Sequence, residues 1–162
     1  MFDTNAFNRL LDPGIDISIF KGRVDIFATH IQLRELHATT DTQRRQALES
    51  SFHEITTQTL PTESMVLPIK LGSAKFGDGT YELILAKLNG KANSFRGRKR
   101  NNKLRSNPAD AQIGEVALKN GHVLVTDDPE LFSVVKDCGG TVLRFDDFVK
   151  EIGLSTAVPG IT

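Results

Sequence analysis

The sequence predicts an α/β fold, with a central, mostly parallel sheet of four to five strands and helices on both sides. Three observations predict it. Short β-branched or apolar runs alternate with longer stretches whose apolar residues recur at helical spacing. Most of the runs end in a residue suited to start a helix, so strand repeatedly hands over to helix. The stretch Asn107–Phe132 repeats the plan in miniature, as helix, tight turn, buried strand and second helix.

In order along the chain, Met1-Phe2-Asp3 allows only a very short strand. A helix follows from Thr4-Asn5, with Ala6, Phe7, Leu10 and Leu11 on its apolar side, and Asp12-Pro13-Gly14 breaks it. Ile15–Phe20 has no clear pattern. Val24–Ala28 is the second strand, and Thr29 or His30 opens a helix through Ile31, Leu33, Leu36 and Ala38. Thr40-Asp41 caps a helix over 42–58, with Ala47, Leu48, Phe52 and Ile55 inward. Glu63–Leu67 reads as a strand or extended connection limited by Pro68, and Ile69–Gly79 is glycine-rich without assignment. Thr80–Leu88 is helical, with Tyr81, Ile84, Leu85 and Leu88 on one side.

In the central stretch, Asn107 caps and Pro108 opens a helix striped by Ala109, Ile113, Val116 and Ala117, and Asn120-Gly121 stops it. Val123-Leu124-Val125 is the pattern of a strand covered on both faces, and Pro129 opens the next helix, with Leu131, Phe132, Val134 and Val135 inward. Gly139-Gly140 turns into a last strand, Thr141–Phe145, before a short helix ending near Ile152. Residues 1–153 are expected to form one domain and 154–162 a flexible tail.

A chain of 162 residues, 39% apolar and 25% charged, is long enough for one core of ordinary size and has the composition of a soluble globular protein. No apolar run approaches the ~20 residues of a membrane span, and the opening MFDTN does not read as a signal peptide. A lone Cys138 excludes an internal disulfide and a cysteine-based zinc site, and the four histidines lack metal-ligand spacing. These features lead us to expect a cytoplasmic protein. Net charge is zero but uneven: seven of the 20 bases fall between Lys91 and Arg105 with no acid among them, leaving thirteen against 20 acids elsewhere. The basic loop at about 90–106 is too polar to pack as core. A solvated loop is one reading of it; contact with nucleic-acid phosphate is the other.

The acids are ordered in a suggestive way. Asp3 and Asp128 both lie where a strand passes into a helix, Asp110 lies in a first helical turn, and Glu35 lies within the second helix. Each has a plain explanation. Asp128 before Pro129 serves as a cap, Asp110 answers the helix dipole, and Glu35 faces solvent. In a parallel sheet, however, right-handed crossovers bring the carboxyl ends of the strands to one rim, where ligands sit. Asp3 and Asp128 are expected to meet there, joined by Asp110 and Glu35.

M-F-D-T-N at the start, I-x-L-x-E-L in the second helix, D-A-Q-I-x-x-x-A-L-x-x-G and L-V-T-D-D-P-E-L-F together resemble the PIN-domain nucleases, most closely the VapC-type ribonuclease toxins of toxin–antitoxin pairs. The resemblance covers most of the chain. It implies a three-layer α/β/α PIN-like domain acting as a metal-dependent endoribonuclease. Asp3, Glu35, Asp110 and Asp128 match the acidic pattern, as catalytic and metal-binding residues. Asn5 and Thr126 match the polar supporting positions, and Asp127 adds a fifth carboxylate of unassigned role. The resemblance also implies an RNA substrate, an antitoxin protein as partner, a homodimer, and products with a 5′-phosphate and a 3′-hydroxyl.

The chemistry follows from the carboxylates. Clustered acids raise one another's pKa unless a cation joins them, and oxygen ligands favour Mg²⁺ or Mn²⁺. Such an ion would activate a water and offset charge on the phosphate. Arg96, Arg98, Lys99, Arg100, Lys103 and Arg105 are the expected substrate clamp. A bulky residue at position 114, one turn after Asp110, would lean toward that acid, so Gly114→Leu is expected to weaken metal binding. The competing readings are a non-catalytic nucleic-acid-binding or scaffolding domain, a PIN nuclease acting on DNA, a haloacid-dehalogenase-type phosphatase and a response-regulator receiver. The phosphatase wants a second acid where Asn5 stands, and the receiver wants a late lysine that is not evident.

Overall fold

The structure, a computed structural model, describes residues 1–62, 78–94 and 107–152. Its elements in order are α1 (Thr4–Arg9), a 3-10 turn (Ile17–Phe20), β1 (Ile26–Thr29), α2 (His30–His37), α3 (Thr42–Ile55), β2 (Thr56–Leu60), α4 (Thr80–Ser94), α5 (Asn107–Lys119), β3 (Leu124–Val125), α6 (Pro129–Asp137), β4 (Val142–Leu143) and α7 (Phe145–Glu151).

Local chemistry fixes the helix starts. Asp3 caps α1 by accepting from the Thr4 N–H at 2.6 Å. Thr29 caps α2 in a reciprocal box with Gln32, and Asp41 caps α3 through the Arg44 N–H. Asp128 caps α6, whose first residue is Pro129.

The strands pair as two separate two-stranded parallel sheets, β1 with β2 and β3 with β4. This corrects the expected central sheet of four to five strands and the three-layer α/β/α architecture. The reason is strand length: β3 and β4 are two residues each, and Met1–Asp3 makes a single isolated bridge, Phe2 to Val125. That segment still touches both pairs. The Phe2 N–H donates to the Phe27 carbonyl at 3.0 Å, and the Asp3 N–H donates to the Val125 carbonyl at 3.0 Å.

β2 is a second correction. The helix expected over 42–58 stops at Ile55, and Thr56–Leu60 pairs with β1. Three of its five residues are exposed. The run TTQTL shows no clean apolar alternation, but its β-branched threonines suit an edge strand. The expected strand at Glu63–Leu67, the basic loop beyond Ser94 and the tail 154–162 lie outside the described residues.

The core is organised around Phe2. Its ring meets Phe7, Phe20, Phe145 and Phe148 edge-on, with centroids 5.2–6.3 Å away. Burying such a ring stabilises the fold by roughly 2–3 kcal/mol. A second cluster joins Met1 and Ile31 to Ala109, Ile113, Val116, Leu124 and Leu131, which seats α5 against the start of the chain. The α4 helix packs on α5 and α6 through Ile84, Leu88, Ala111 and Val134.

Candidate functional site

Asp3 ends the first extended segment, and its main chain is pinned to Val125. Its carboxylate is therefore carried under the start of α1 and is 2% exposed. Oδ1 accepts the Thr4 N–H, and Oδ2 accepts the Thr126 hydroxyl at 2.8 Å. Burial pushes the Asp3 pKa up to about 6; the two hydrogen bonds pull it down, and the nearby charges of Glu35 and Asp128 push it up again.

Glu35 reaches this place because α2 is fastened to the chain start. The Gln32 side chain is fully buried, and its Nε2 donates to the Phe2 carbonyl at 2.8 Å. Its Oε1 accepts the Thr29 N–H at 2.8 Å. Glu35, three residues on, then accepts the Thr4 hydroxyl through Oε2. Asp128 enters from the other side. Its N–H donates to Thr126 Oγ1 at 3.0 Å, the same hydroxyl that donates to Asp3. Its Oδ1 caps α6, accepting from Glu130 and Leu131. Among the described residues, neither Glu35 Oε1 nor Asp128 Oδ2 takes part in a hydrogen bond.

The remaining site residues lie as follows. Asp110 is half-buried in the first turn of α5, flanked by Ala109 and Ile113 of the cluster that holds Met1. Asn5 is exposed on α1. Asp127 serves the fold instead. Its Oδ2 accepts from Arg9 Nη1 at 2.7 Å, and its Oδ1 accepts the Phe145 N–H at 3.1 Å. It thereby caps α7, whose own N-cap Arg144 offers no side-chain acceptor. Arg96, Arg98, Lys99, Arg100, Lys103 and Arg105 lie outside the described residues. Gly114 does not face the acids; a Cβ there would stand 3.0 Å from Val135 Cγ2 and 3.4 Å from Ile84 Cδ1.

Thr4 and Gln32 have no place among the site residues expected from sequence. The signal for Gln32 is the T-x-x-Q spacing of a capping box. Thr4 gives no signal beyond adjacency to Asp3.

Two findings overturn the nuclease reading. The described strands do not form the continuous sheet of a PIN domain. No three His, Cys, Asp or Glu side chains among the described residues group as a ready-made metal cage. The resemblance to PIN-domain nucleases and VapC-type toxins is corrected accordingly. So are its consequences: the metal-dependent endoribonuclease, the hydrolase activity and the role as the toxin of a toxin–antitoxin pair. Among the described residues, no helix is long and apolar enough to cross a membrane. Comparisons of the chain with family models, curated proteins and solved structures find no match.

Proposed function

We propose that this chain binds a divalent cation, Mg²⁺ or Mn²⁺, between Asp3, Glu35 and Asp128, and through it a phosphate group of a ligand such as RNA. One observation carries the reading. A buried carboxylate is faced by two others from separate elements, and each of those two keeps an oxygen outside any hydrogen bond among the described residues.

The donor set supports a hard ion. It consists of carboxylate oxygens, without histidine or cysteine, which suits Mg²⁺ and Mn²⁺ rather than zinc. A cation also relieves the repulsion that burial intensifies around Asp3. Glu35 and Asp128 are both half-buried rather than packed in. Asp110 is the fourth donor of the proposal, by its position at the start of α5.

The phosphate partner rests on Arg144. Its guanidinium lies over the Phe132 ring, 4.4 Å from the centroid, and Nη1 donates to the Asp127 carbonyl, one residue from Asp128. A guanidinium stacked and tethered in this way keeps further N–H donors of the kind that suit a phosphate.

Titration with Mn²⁺, followed by loss of the free-ion paramagnetic resonance signal, tests the reading. Wild type should take up Mn²⁺, with competition from Mg²⁺, and Asp3→Asn should abolish uptake while keeping the fold. Equal uptake by Asp3→Asn and wild type overturns it.

A further inference from the structure

We infer that Arg144 and Lys136 form a clamp of two cations for the sugar–phosphate backbone of a single-stranded nucleic acid, one that needs no metal ion; it rests on the phosphate half of the reading above and not on the cation half. Both charges gather at one ring. The Arg144 guanidinium lies 4.4 Å from the centre of Phe132, and the Lys136 ammonium lies 5.9 Å from the same centre. Lys136 comes from the last turn of α6, and Arg144 directly follows β4. The fold, rather than sequence adjacency, assembles the pair.

Among the described residues, neither charge meets a carboxylate, whereas Arg9, Lys21, Lys119 and Lys150 each do. Asp127, which Arg144 touches, gives it the main-chain carbonyl at 2.7 Å and turns its carboxylate to Arg9 and the Phe145 N–H. Helix stability does not account for Arg144 either, because it stands at the N-cap of α7, an end that disfavours a cation. Two like charges held at one ring repel, and an anion lying against both removes that repulsion. The two carriers suit a chain of phosphates. The stacked, tethered guanidinium fixes one phosphate through paired N–H groups, and the exposed ammonium on its flexible stem follows the next.

The test follows binding of a fluorescein-labelled oligouridylate of about 15 nucleotides by the full chain in EDTA, over a series of salt concentrations, with melting temperature as the check of folding. Each phosphate contact on a single strand contributes about 0.7 to the slope of log affinity against log salt, or about fivefold at about 0.1 M salt. Lys136→Gln and Arg144→Gln should each weaken binding about fivefold, and the double variant about 25-fold, with its slope flattened by about 1.4. Lys150→Gln removes the same charge at an exposed lysine already paired with Asp147, and should change neither quantity. Inorganic phosphate at matched ionic strength should not displace the strand. The clamp is overturned if wild type does not bind the strand, if Lys136→Gln, at an exposed position, binds as wild type does, or if Lys150→Gln loses as much. Displacement by inorganic phosphate overturns it too, since the site would then hold a single phosphate. Because the chelator removes divalent ions, the result is separate from the Mn²⁺ titration: the clamp can fail with Mn²⁺ uptake intact, and Mn²⁺ uptake can fail with the clamp intact.

Discussion

Arg9 donates Nη1–H to Asp127 Oδ2 at 2.7 Å, and this ion pair gives two adjacent aspartates different roles. The same guanidinium reaches Asp12 at 2.6 Å and Asp146 at 2.7 Å, and lies 5.1 Å from the centre of the Phe145 ring. Asp127 thus ties α1 to the start of α7, while Asp128 stays with Thr126 and Asp3. Asp127→Ala should cost about 1–2 kcal/mol of stability: about 1 for the lost helix cap, and at most about 1 for a partly exposed ion pair. Mn²⁺ affinity should stay within twofold. Urea unfolding alongside Mn²⁺ titration checks both, and a large loss of affinity with intact stability would move Asp127 into the pocket.

Asp3 makes stability depend on pH in a definite direction. Its folded pKa stands at about 6 against 3.8 for an ordinary aspartate. Below pH 3.8 both folded and unfolded chains hold the proton, and the fold has its full stability. Between about 4 and about 6 the unfolded chain releases its proton while the folded chain keeps it, so stability falls as pH rises. The total loss is about 3 kcal/mol, at 1.36 kcal/mol per pH unit. Asp3→Asn removes this dependence. The stability of wild type minus that of Asp3→Asn, from urea unfolding at a series of pH values, should fall across that window and flatten above it. Saturating Mn²⁺ at pH 7 should return the lost stability to wild type only. A difference that does not change with pH would mean that Asp3 is not strained by burial.

Helix starts were legible because capping is local: Asp3, Thr29, Asp41 and Asp128 each act within three residues of themselves. Features decided across the chain were not. Asp127 and Asp128 are alike in sequence, and only Arg9, 118 positions away, separates them. A glutamine amid polar helix residues reads as solvent-facing, yet Gln32 is buried because the Phe2 carbonyl needs a donor. β2 was hidden because pairing with β1, rather than apolar alternation, makes it a strand. The sheet was overestimated for a related reason. Periodicity locates extended segments, but it does not say how many residues of each will find partners, and for β3 and β4 the number is two.

Gly114 is a packing residue. A Cβ there would meet Val135 Cγ2 at 3.0 Å, closer than most real contacts, so Val135 must give way even for alanine. Alanine recovers up to about 1 kcal/mol of helix propensity, which offsets part of that crowding, and Gly114→Ala should lie near neutral. Leucine adds three more carbons between α5, Val135 and Ile84 and should destabilise by about 1–3 kcal/mol. Mn²⁺ affinity should be retained in both folded variants, because the space a side chain would enter here is bounded by Val135 and Ile84 and not by Asp110. Calorimetric melting separates these outcomes. A stable Gly114→Leu with reduced Mn²⁺ affinity would show that a side chain at this position does reach Asp110.

Gln32 should be the most sensitive polar residue outside the acids. Its amide serves three groups at once: the Phe2 carbonyl, the Thr29 N–H and the Thr29 hydroxyl, with Gln32 and Thr29 both fully buried. Gln32→Leu fills the space but leaves those groups without their partner. Each buried polar group so stranded costs about 1–3 kcal/mol, with partial relief by rearrangement, so a loss of about 2–4 kcal/mol is expected. Because Gln32 also fastens α2 to the chain start, Glu35 should lose its fixed approach to Thr4, and Mn²⁺ affinity should fall with stability. Gln58 is a matched control: the same substitution there, on the exposed face of β2, should change stability by less than about 0.5 kcal/mol and leave Mn²⁺ binding untouched. Equal effects at the two positions would show that the amide of Gln32 does not hold α2 in place.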